Sequence, residues 1–500
     1  MAATLEQVHD KAKDYDWTFT VGDQSPKHPT KYIIPPKGKD PFRMLVRDYM
    51  RMEAEKDDRT YGFLDAAVRM RTTDHADPRL MEVMKLTLPD FTIAEFEAVS
   101  ACGGIIASTQ NQEIRQGYHA QMMDEIRHTQ LEMSLRQYYA KHWEDPAGYD
   151  IGQKALYELP GGLIGVSAFL HFNTGDPIDC VIHLNVVLET AYTNILVVAI
   201  PQVAVVNGED ALPATFLSIQ SDESRHMANG YGTLMAVLQD ERNVPDCNRA
   251  LERYFWLNHR QLDALTGHQA EYGATTRPWS YRKQWEEWVG DDFLGSYMER
   301  FTEFGLRVPE RASKVADDVT WLHHTTGMAL SAIWPLNHWR SPLQGPKDFE
   351  WFEANYPGWH GIYGGFWEAQ AQMVEPDSEQ LMLQQLPSLP PFCQVCQLPC
   401  MMPRPDKTET RIFDHDGKRI AVCSEGCEWI FKNWPTAYGA REQFWSLYHG
   451  WDLADVILKL GLVREDGKTL IGQPSLDVKR MWTIDDIRRL NFEVKDPLQS

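Results

Sequence analysis

The sequence predicts a mainly α-helical chain: a helical bundle that binds metal, followed by a small α+β region with a cysteine cluster. Three observations carry that prediction. Apolar residues recur with helical periodicity from about 45 to 380. A Pro-rich stretch at 386–391 then gives way to short strand-like runs and to five of the chain's eight cysteines. One five-residue pattern, Asp-Glu-x-Arg-His, occurs twice, at 124–128 and 222–226.

Taken in order, residues 1–45 are irregular and rich in Pro and Lys, an N-terminal arm suited to reaching a neighbour. Residues 46–385 form the helical domain, punctuated by Gly103-Gly104, Pro160-Gly161-Gly162 and the run from Asn173 to Pro177. Its most apolar stretch, about 181–206, contains Glu189, Asn194 and Pro201, and so reads as a buried helix and not a membrane span. Residues 386–440 form a Cys-rich hairpin region, with strands at 410–413 and 419–422 around a turn at 414–417. Residues 441–500 return to helix. A net charge of −22 argues against nucleic-acid binding. The N-terminus has no basic segment followed by an apolar one, so no secretory signal is expected and the expected location is the cytoplasm.

The repeated pattern carries the chemistry. Residues three apart share a helix face, so Glu125 with His128, and Glu223 with His226, each offer one carboxylate and one imidazole to one ion. Two such pairs, plus one glutamate from each of two further helices, make the carboxylate-bridged di-iron site of ferritin-like bundles. The extra glutamates are Glu95, 30 residues before Glu125, and Glu189, 34 residues before Glu223. Each spacing suits a helix, a reversal and a return to the same depth. Glu189 is the only formal charge between Asp179 and Glu209. An unpaired carboxylate there would cost several kcal/mol or take up a proton, and an ion removes that cost. Four carboxylates also balance two ferrous ions, so the reduced centre is neutral. Asp124 and Asp222 are placed to accept from the opposite motif's imidazole, with Arg127 and Arg225 holding their charge.

Cys393 and Cys396 form a C-x₂-C pair, and Cys423 and Cys427 a C-x₃-C pair across the expected hairpin. Four thiolates so spaced predict a structural zinc site, with Cys400 the competing ligand. No G-x-G-x-x-G fingerprint is present, so neither nicotinamide nor flavin is expected to bind this chain.

These motifs resemble those of the large subunit of soluble di-iron hydroxylases, the bacterial multicomponent monooxygenases. The likeness extends to Glu189-Thr190-Ala191-Tyr192-Thr193-Asn194, to 350–359, 466–474 and 481–491, and is strongest to the alkene, propane and methane branch. It implies one iron on Glu95, Glu125 and His128, and the other on Glu189, Glu223 and His226. It implies roles for Thr193 and Asn194 beside the centre, and for Glu223 as a carboxylate that shifts its binding mode. It places a substrate pocket at Phe91, Ala94, Ala98, Glu132, Phe172, Leu184 and Val197. Glu132 departs from the Cys or Gln usual there. Related hydroxylases with this cysteine pattern carry zinc. The activity implied is insertion of one atom of O₂ into a small hydrocarbon, with short alkenes such as propene favoured, while the other atom leaves as water. Propane or methane hydroxylation, or aromatic hydroxylation, is the alternative within the family. The partners implied are a β subunit, an NADH reductase with flavin and iron–sulfur centres, and a coupling protein. A non-enzymatic iron-binding bundle is the reading from another class, and 500 residues is far longer than such a bundle needs.

Overall fold

A computed structural model describes residues 26–36, 46–169, 171–372, 388–401, 403–473 and 480–499. The chain is mainly helical. Helix α1 spans Val46–Met70, α2 Pro78–Ser108 and α3 Gln112–His142. Asp77 caps α2 by accepting from the Arg79 amide, ahead of Pro78 in the first turn. Asn111 caps α3 by accepting from the amides of Glu113 and Ile114. The link between α2 and α3 is so short that they pack antiparallel along their length.

The rod 177–206, here α4, begins as α-helix at Pro177–Val181. It widens to π-helix at Ile182–Tyr192 and Ile195–Ala199, and closes as α-helix at Ile200–Val206. It bends by 42° at the break between its halves. Such wide turns inside helices concentrate at functional sites. Helix α5, Ala211–Val237, packs on α3, α4 and α1 and completes the bundle. Gly230 is what lets α5 approach α4: a Cβ there would lie 2.3 Å from the Cβ of Asn185. By length and composition α2 and the bent α4 each pass for a membrane span. Both are core helices, α2 with Glu82, Lys85 and Asp90 buried in it and α4 with Glu189 buried.

Beyond the bundle lie two antiparallel hairpins, β1 (Pro403–Arg404) with β2 (Lys407–Thr408), and β3 (Arg411–His415) with β4 (Lys418–Val422). The turn between β3 and β4 is Asp416-Gly417, with φ of 48° and 77°. Both values are positive, as a two-residue type I′ hairpin turn requires. Helix α6, Glu425–Asn433, follows. Val395, Ile420 and Ile430 join the same hydrophobic cluster as Val186 and Leu251, so this region shares the core of the bundle. Among the described residues after 441 there is less helix than expected: Phe444–Leu447, Leu453–Leu460 and Ile484–Arg489, with irregular chain at 461–473.

The described part of the N-terminal arm folds onto its own chain. Tyr32 is buried and its hydroxyl donates to Asp179 at 2.6 Å, where Lys31 also pairs at 2.9 Å. The rest of the arm, the boundary residues Leu386 and Pro387, and Pro474 lie outside the described residues.

Candidate metal centre

Helices α2, α3, α4 and α5 bring Glu95, Glu125, His128, Glu189, Glu223 and His226 together in the bundle interior. Around His128 Nδ1 stand Glu95 Oε2 at 3.5 Å, Glu125 Oε2 at 3.6 Å and Glu223 Oε1 at 3.5 Å. Around His226 Nδ1 stand Glu125 Oε1 at 3.5 Å, Glu189 Oε1 at 3.3 Å and Glu223 Oε2 at 3.7 Å. Both Nδ1 atoms are buried and have no hydrogen-bond partner. An ion bonded at about 2.0–2.2 Å sets its nitrogen and oxygen donors roughly 3.0–3.6 Å apart, close to the 3.3–3.7 Å found here. The donor set therefore fits two ions. It differs from the expected three-and-three division in one respect: Glu125 and Glu223 each turn one oxygen to each imidazole, so both span the two positions.

The outer layer crosses over between the motifs. His128 Nε2 meets Asp222 Oδ2 at 3.1 Å, and His226 Nε2 meets Asp124 Oδ2 at 3.2 Å. Arg127 donates to Asp222 at 2.7 Å and Arg225 to Asp124 at 2.9 Å. Helix α1 adds groups that the sequence reading missed. Tyr49 donates to Asp124 at 2.6 Å, Arg225 also reaches Glu53 at 2.9 Å, Arg127 reaches Asp57 at 2.7 Å, and Lys56 pairs with Asp222. Two buried amides were missed as well. Gln121 Nε2 donates to Glu125 at 3.0 Å and Glu189 at 3.1 Å, and Asn185 Nδ2 donates to Glu189 at 2.7 Å. Asn194 is half-buried and, among the described residues, makes no hydrogen bond to the six; the amide at Glu189 is that of Asn185.

Burial disfavours charge throughout the centre. It pushes the Glu189 carboxyl up to about 8, against the pull of His226, and it raises Glu125. It also opposes imidazolium at His128 and His226. The surrounding carboxylates, Glu95 foremost for His128 and Glu125 for His226, overcome it and raise both rings well above their ordinary range. Asp222 is pushed up by burial as well, but its hydrogen bond to His128, the charge of that ring and Arg225 hold it well below the usual carboxylate range. Without an ion, protons balance the carboxylates; an ion takes their place.

A cavity opens directly on this cluster. Phe91, Ala94, Ala98, Phe172, Leu184 and Val197 line it, with Glu95, Glu125, Glu189, Glu223 and Thr193 on one wall. Phe169, Leu188, Leu196, Phe216 and Ile219 complete the apolar lining and were not anticipated. Its volume is about 60 Å³, counted as room for the centres of water-sized molecules. One water needs roughly 10–15 Å³ on that measure, so a few small molecules or one short hydrocarbon fit. Thr193 is buried and makes no hydrogen bond to its own helix among the described residues. Glu132 does not line the cavity, contrary to expectation. The turn of α3 that aims His128 at Asp222 leaves Glu132, one turn on, wholly enclosed, with neither carboxylate oxygen partnered. Burial, then Glu95, raises its carboxyl well above the usual range.

A family model described as methane/phenol/alkene hydroxylase matches residues 17–241. The large hydroxylase subunit of propane 2-monooxygenase from Gordonia sp. (strain TY-5) is 38% identical over 98% of this chain and 93% of that protein. The chain belongs to this hydroxylase family. The methane monooxygenase component A alpha chain of Methylococcus capsulatus (strain ATCC 33009 / NCIMB 11132 / Bath) is 33% identical, over 100% of this chain and 96% of its own length. A solved phenol hydroxylase from Pseudomonas sp. OX1 shares the fold with a TM-score of 0.79, at 22% identity, over 100% of this chain and 98% of that one.

The hydroxylase chain has a second nest. Cys393, Cys396, Cys423 and Cys427 are fully buried, with their sulfurs within 4.8 Å of one another. Cys423 Sγ lies 3.6 Å from that of Cys396 and 3.7 Å from that of Cys427. These separations are too long for a disulfide. They match the edge of about 3.8 Å in a tetrahedron with metal–sulfur bonds of about 2.3 Å. Cys400 is buried but stands outside the group. Arg260, buried beneath, reaches Cys423 Sγ at 3.4 Å and Asp318 at 3.3 Å. Burial opposes thiolate at Cys423, but hydrogen bonds from the thiols of Cys393, Cys396 and Cys427, and then the charge of Arg260, draw it well below its ordinary value.

Proposed function

We propose that the chain is the oxygenase component of a multicomponent monooxygenase acting on short hydrocarbons at a di-iron centre. One observation carries the reading: four of the six candidate ligands also form a wall of a small apolar cavity. One iron would lie by Glu95 and His128 and the other by Glu189 and His226, with Glu125 and Glu223 shared. Ferrous ions held there would supply two-electron activation of O₂. The residues do the rest. Asp124 and Asp222 fix the rings so that Nδ1 faces inward. Gln121 and Asn185 fix Glu189. Thr193, on the cavity wall and one turn from Glu189, would pass protons through its hydroxyl, taking one from solvent for each one it gives up. The phenylalanines and aliphatic residues exclude water and hold the hydrocarbon against the centre. Cys393, Cys396, Cys423 and Cys427 would hold a structural zinc.

Each turnover consumes two electrons, and the chain has no nucleotide motif of its own. A reductase drawing on NADH, a β subunit and a coupling protein complete the system, in the cytoplasm. Epoxidation of short alkenes such as propene is the activity put forward. The propane 2-monooxygenase relative favours a second reading, hydroxylation of propane. The test is product analysis with propene, propane, methane and toluene in the reconstituted complex with NADH. Propene oxide or a propanol is expected only when the reductase is present. Catalytic turnover by the isolated chain with NADH, or oxidation of none of the four, would overturn the proposal.

A further inference from the structure

Tyr118, Gln121 and Asn185 are at most 1% exposed, and none of them lines the cavity. They form one hydrogen-bonded chain. The Tyr118 hydroxyl donates to Asn185 Oδ1 at 2.9 Å. Asn185 Nδ2 donates to Gln121 Oε1 at 3.0 Å and to Glu189 Oε2 at 2.7 Å, with the His226 carbonyl oxygen 3.2 Å away. Gln121 Nε2 then donates to Glu125 Oε1 at 3.0 Å and to Glu189 Oε1 at 3.1 Å. Every bond points the same way, from the phenol toward the carboxylates. The backbone sets up this alignment. Tyr118 and Gln121 stand three apart on α3 and share a face. Asn185 and Glu189 lie one wide turn apart in the π-helical stretch Ile182–Tyr192, and Gly230 lets α5 close over Asn185.

We infer that Tyr118 is a positioning residue for the centre, acting on Glu189 and Glu125 through the amides of Asn185 and Gln121. The inference rests on the metal centre of the function proposed above, and adds the group that sets the direction of the amides. The two ends of an amide have similar shapes and opposite hydrogen-bonding roles. With the phenol proton on Asn185 Oδ1, Nδ2 faces Glu189 and Gln121, and Gln121 turns its own nitrogen to the carboxylates. An amide whose oxygen accepts is also a stronger donor, so each bond strengthens the next. Burial raises the phenol well above its ordinary value, so the proton that heads the chain stays in place. Without that proton, Asn185 Oδ1 is left buried and unpartnered, and the amide is free to tilt away from Glu189.

The test is stepwise binding of cobaltous ion to the metal-free, full-length chain, followed by visible absorption. It compares the unsubstituted chain with Tyr118→Phe, Asn185→Leu and the double variant. Tyr118→Phe keeps the ring and removes one hydroxyl. It should weaken the ion beside Glu189 by up to about tenfold, the top of the range for one neutral hydrogen bond. The absorption of that ion should shift, and the ion beside Glu95 should be less affected. Asn185→Leu should weaken the ion beside Glu189 by more than about tenfold, since it removes a bond to the carboxylate itself. Adding Tyr118→Phe to Asn185→Leu should change nothing further, because the amide that carries the effect is gone. In the reconstituted complex Tyr118→Phe should lower kcat for propene and leave KM unchanged, since Tyr118 does not line the cavity. Unaltered affinity for both ions in Tyr118→Phe overturns the inference. So does a double variant in which the two losses simply add, which would mean that the phenol acts by packing and not through the amide. If no chain oxidises propene but cobalt behaves as stated, the functional reading fails and the positioning role stands.

Discussion

The two buried nests invite comparison. Both gather their members from distant stretches of chain, and in both the donor atoms stand at metal-ligand spacing. They differ in what surrounds them. The carboxylate–imidazole nest has a cavity on one side and a layer of aspartates and arginines on the other, and four of its six residues form a wall of the cavity. The thiol nest is closed, and none of its cysteines lines that cavity. Structural metal sites fill every position with protein ligands, whereas catalytic sites keep one open. The same chain thus sets hard, mixed donors where small molecules arrive and soft, uniform donors where they do not.

The sharpest way to break that contrast is to damage each nest separately. Cys396→Ser should abolish zinc binding and cost more than about 4 kcal/mol of stability, as loss of a structural metal does, with the region after 388 becoming the first to exchange its amide hydrogens. Iron content should remain at two per chain in that variant. Glu189→Ala should do the reverse, losing iron and activity while zinc stays and the helices hold their circular dichroism. Retention of full iron by Glu189→Ala, or zinc-free parent protein of normal stability, would erase the distinction.

Acidity should separate the nests next. In the metal-free bundle the His128 and His226 rings are raised well above their ordinary values, so their charged forms persist to higher pH than in a free imidazole. An ion must displace those protons. Affinity for ferrous or cobaltous ion should therefore rise with pH, by up to about tenfold per pH unit for each proton displaced, until the rings lose their protons unaided. Titration in weak buffer should release at least one proton per ion, the two rings supplying two and Glu189 adding to them below about pH 8. Release of none would mean that the rings are already neutral and that the carboxylates do not govern the site.

Much of this was legible in the sequence, for reasons that also mark where legibility ended. A Glu-x-x-His pair fixes two ligands on one face whatever the surroundings, so its duplication gave the centre away. Spacing says nothing about which oxygen faces which ring, so the sharing of Glu125 and Glu223 needed coordinates. The outer groups of α1 were missed because Tyr49, Glu53, Lys56 and Asp57 look like the solvated side of an amphipathic helix. Gln121 and Asn185 had a signal: each stands one helical turn before a ligand, Glu125 or Glu189. Glu132 passed for a pocket residue because its position on the family pattern was visible and its enclosure was not. Asp416-Gly417 announced its hairpin. The segment after 441 is less helical than expected because Gly450, Gly461, Gly467 and Gly472 take positive φ, where chain direction changes.

The smallest expected effect tests how far the open nest is held in shape by neutral groups. Gln121 bridges the two halves of the centre, donating to Glu125 Oε1 and Glu189 Oε1 from one amide nitrogen, while its own oxygen accepts from Asn185 at 3.0 Å. Leucine has a similar size and offers none of these bonds. Gln121→Leu removes one donor from each glutamate, leaving Glu189 with the Asn185 amide alone, and loss of a buried hydrogen bond to a charged group costs about 1.5–3 kcal/mol. Part of that cost falls on the metal-free state as well, where Glu189 would simply hold its proton more firmly. The net loss should be modest, on the order of tenfold in the affinity of the ion beside Glu189 and less for the ion beside Glu95. Stepwise cobalt titration followed by visible absorption would read the two sites separately. Equal weakening of both ions would show that the glutamates shared between them couple the halves more tightly than the amide does. No weakening of either would show that the ions alone orient their ligands, and the thiol nest, where no amide donates to a thiol among the described residues, would then be the better model for both.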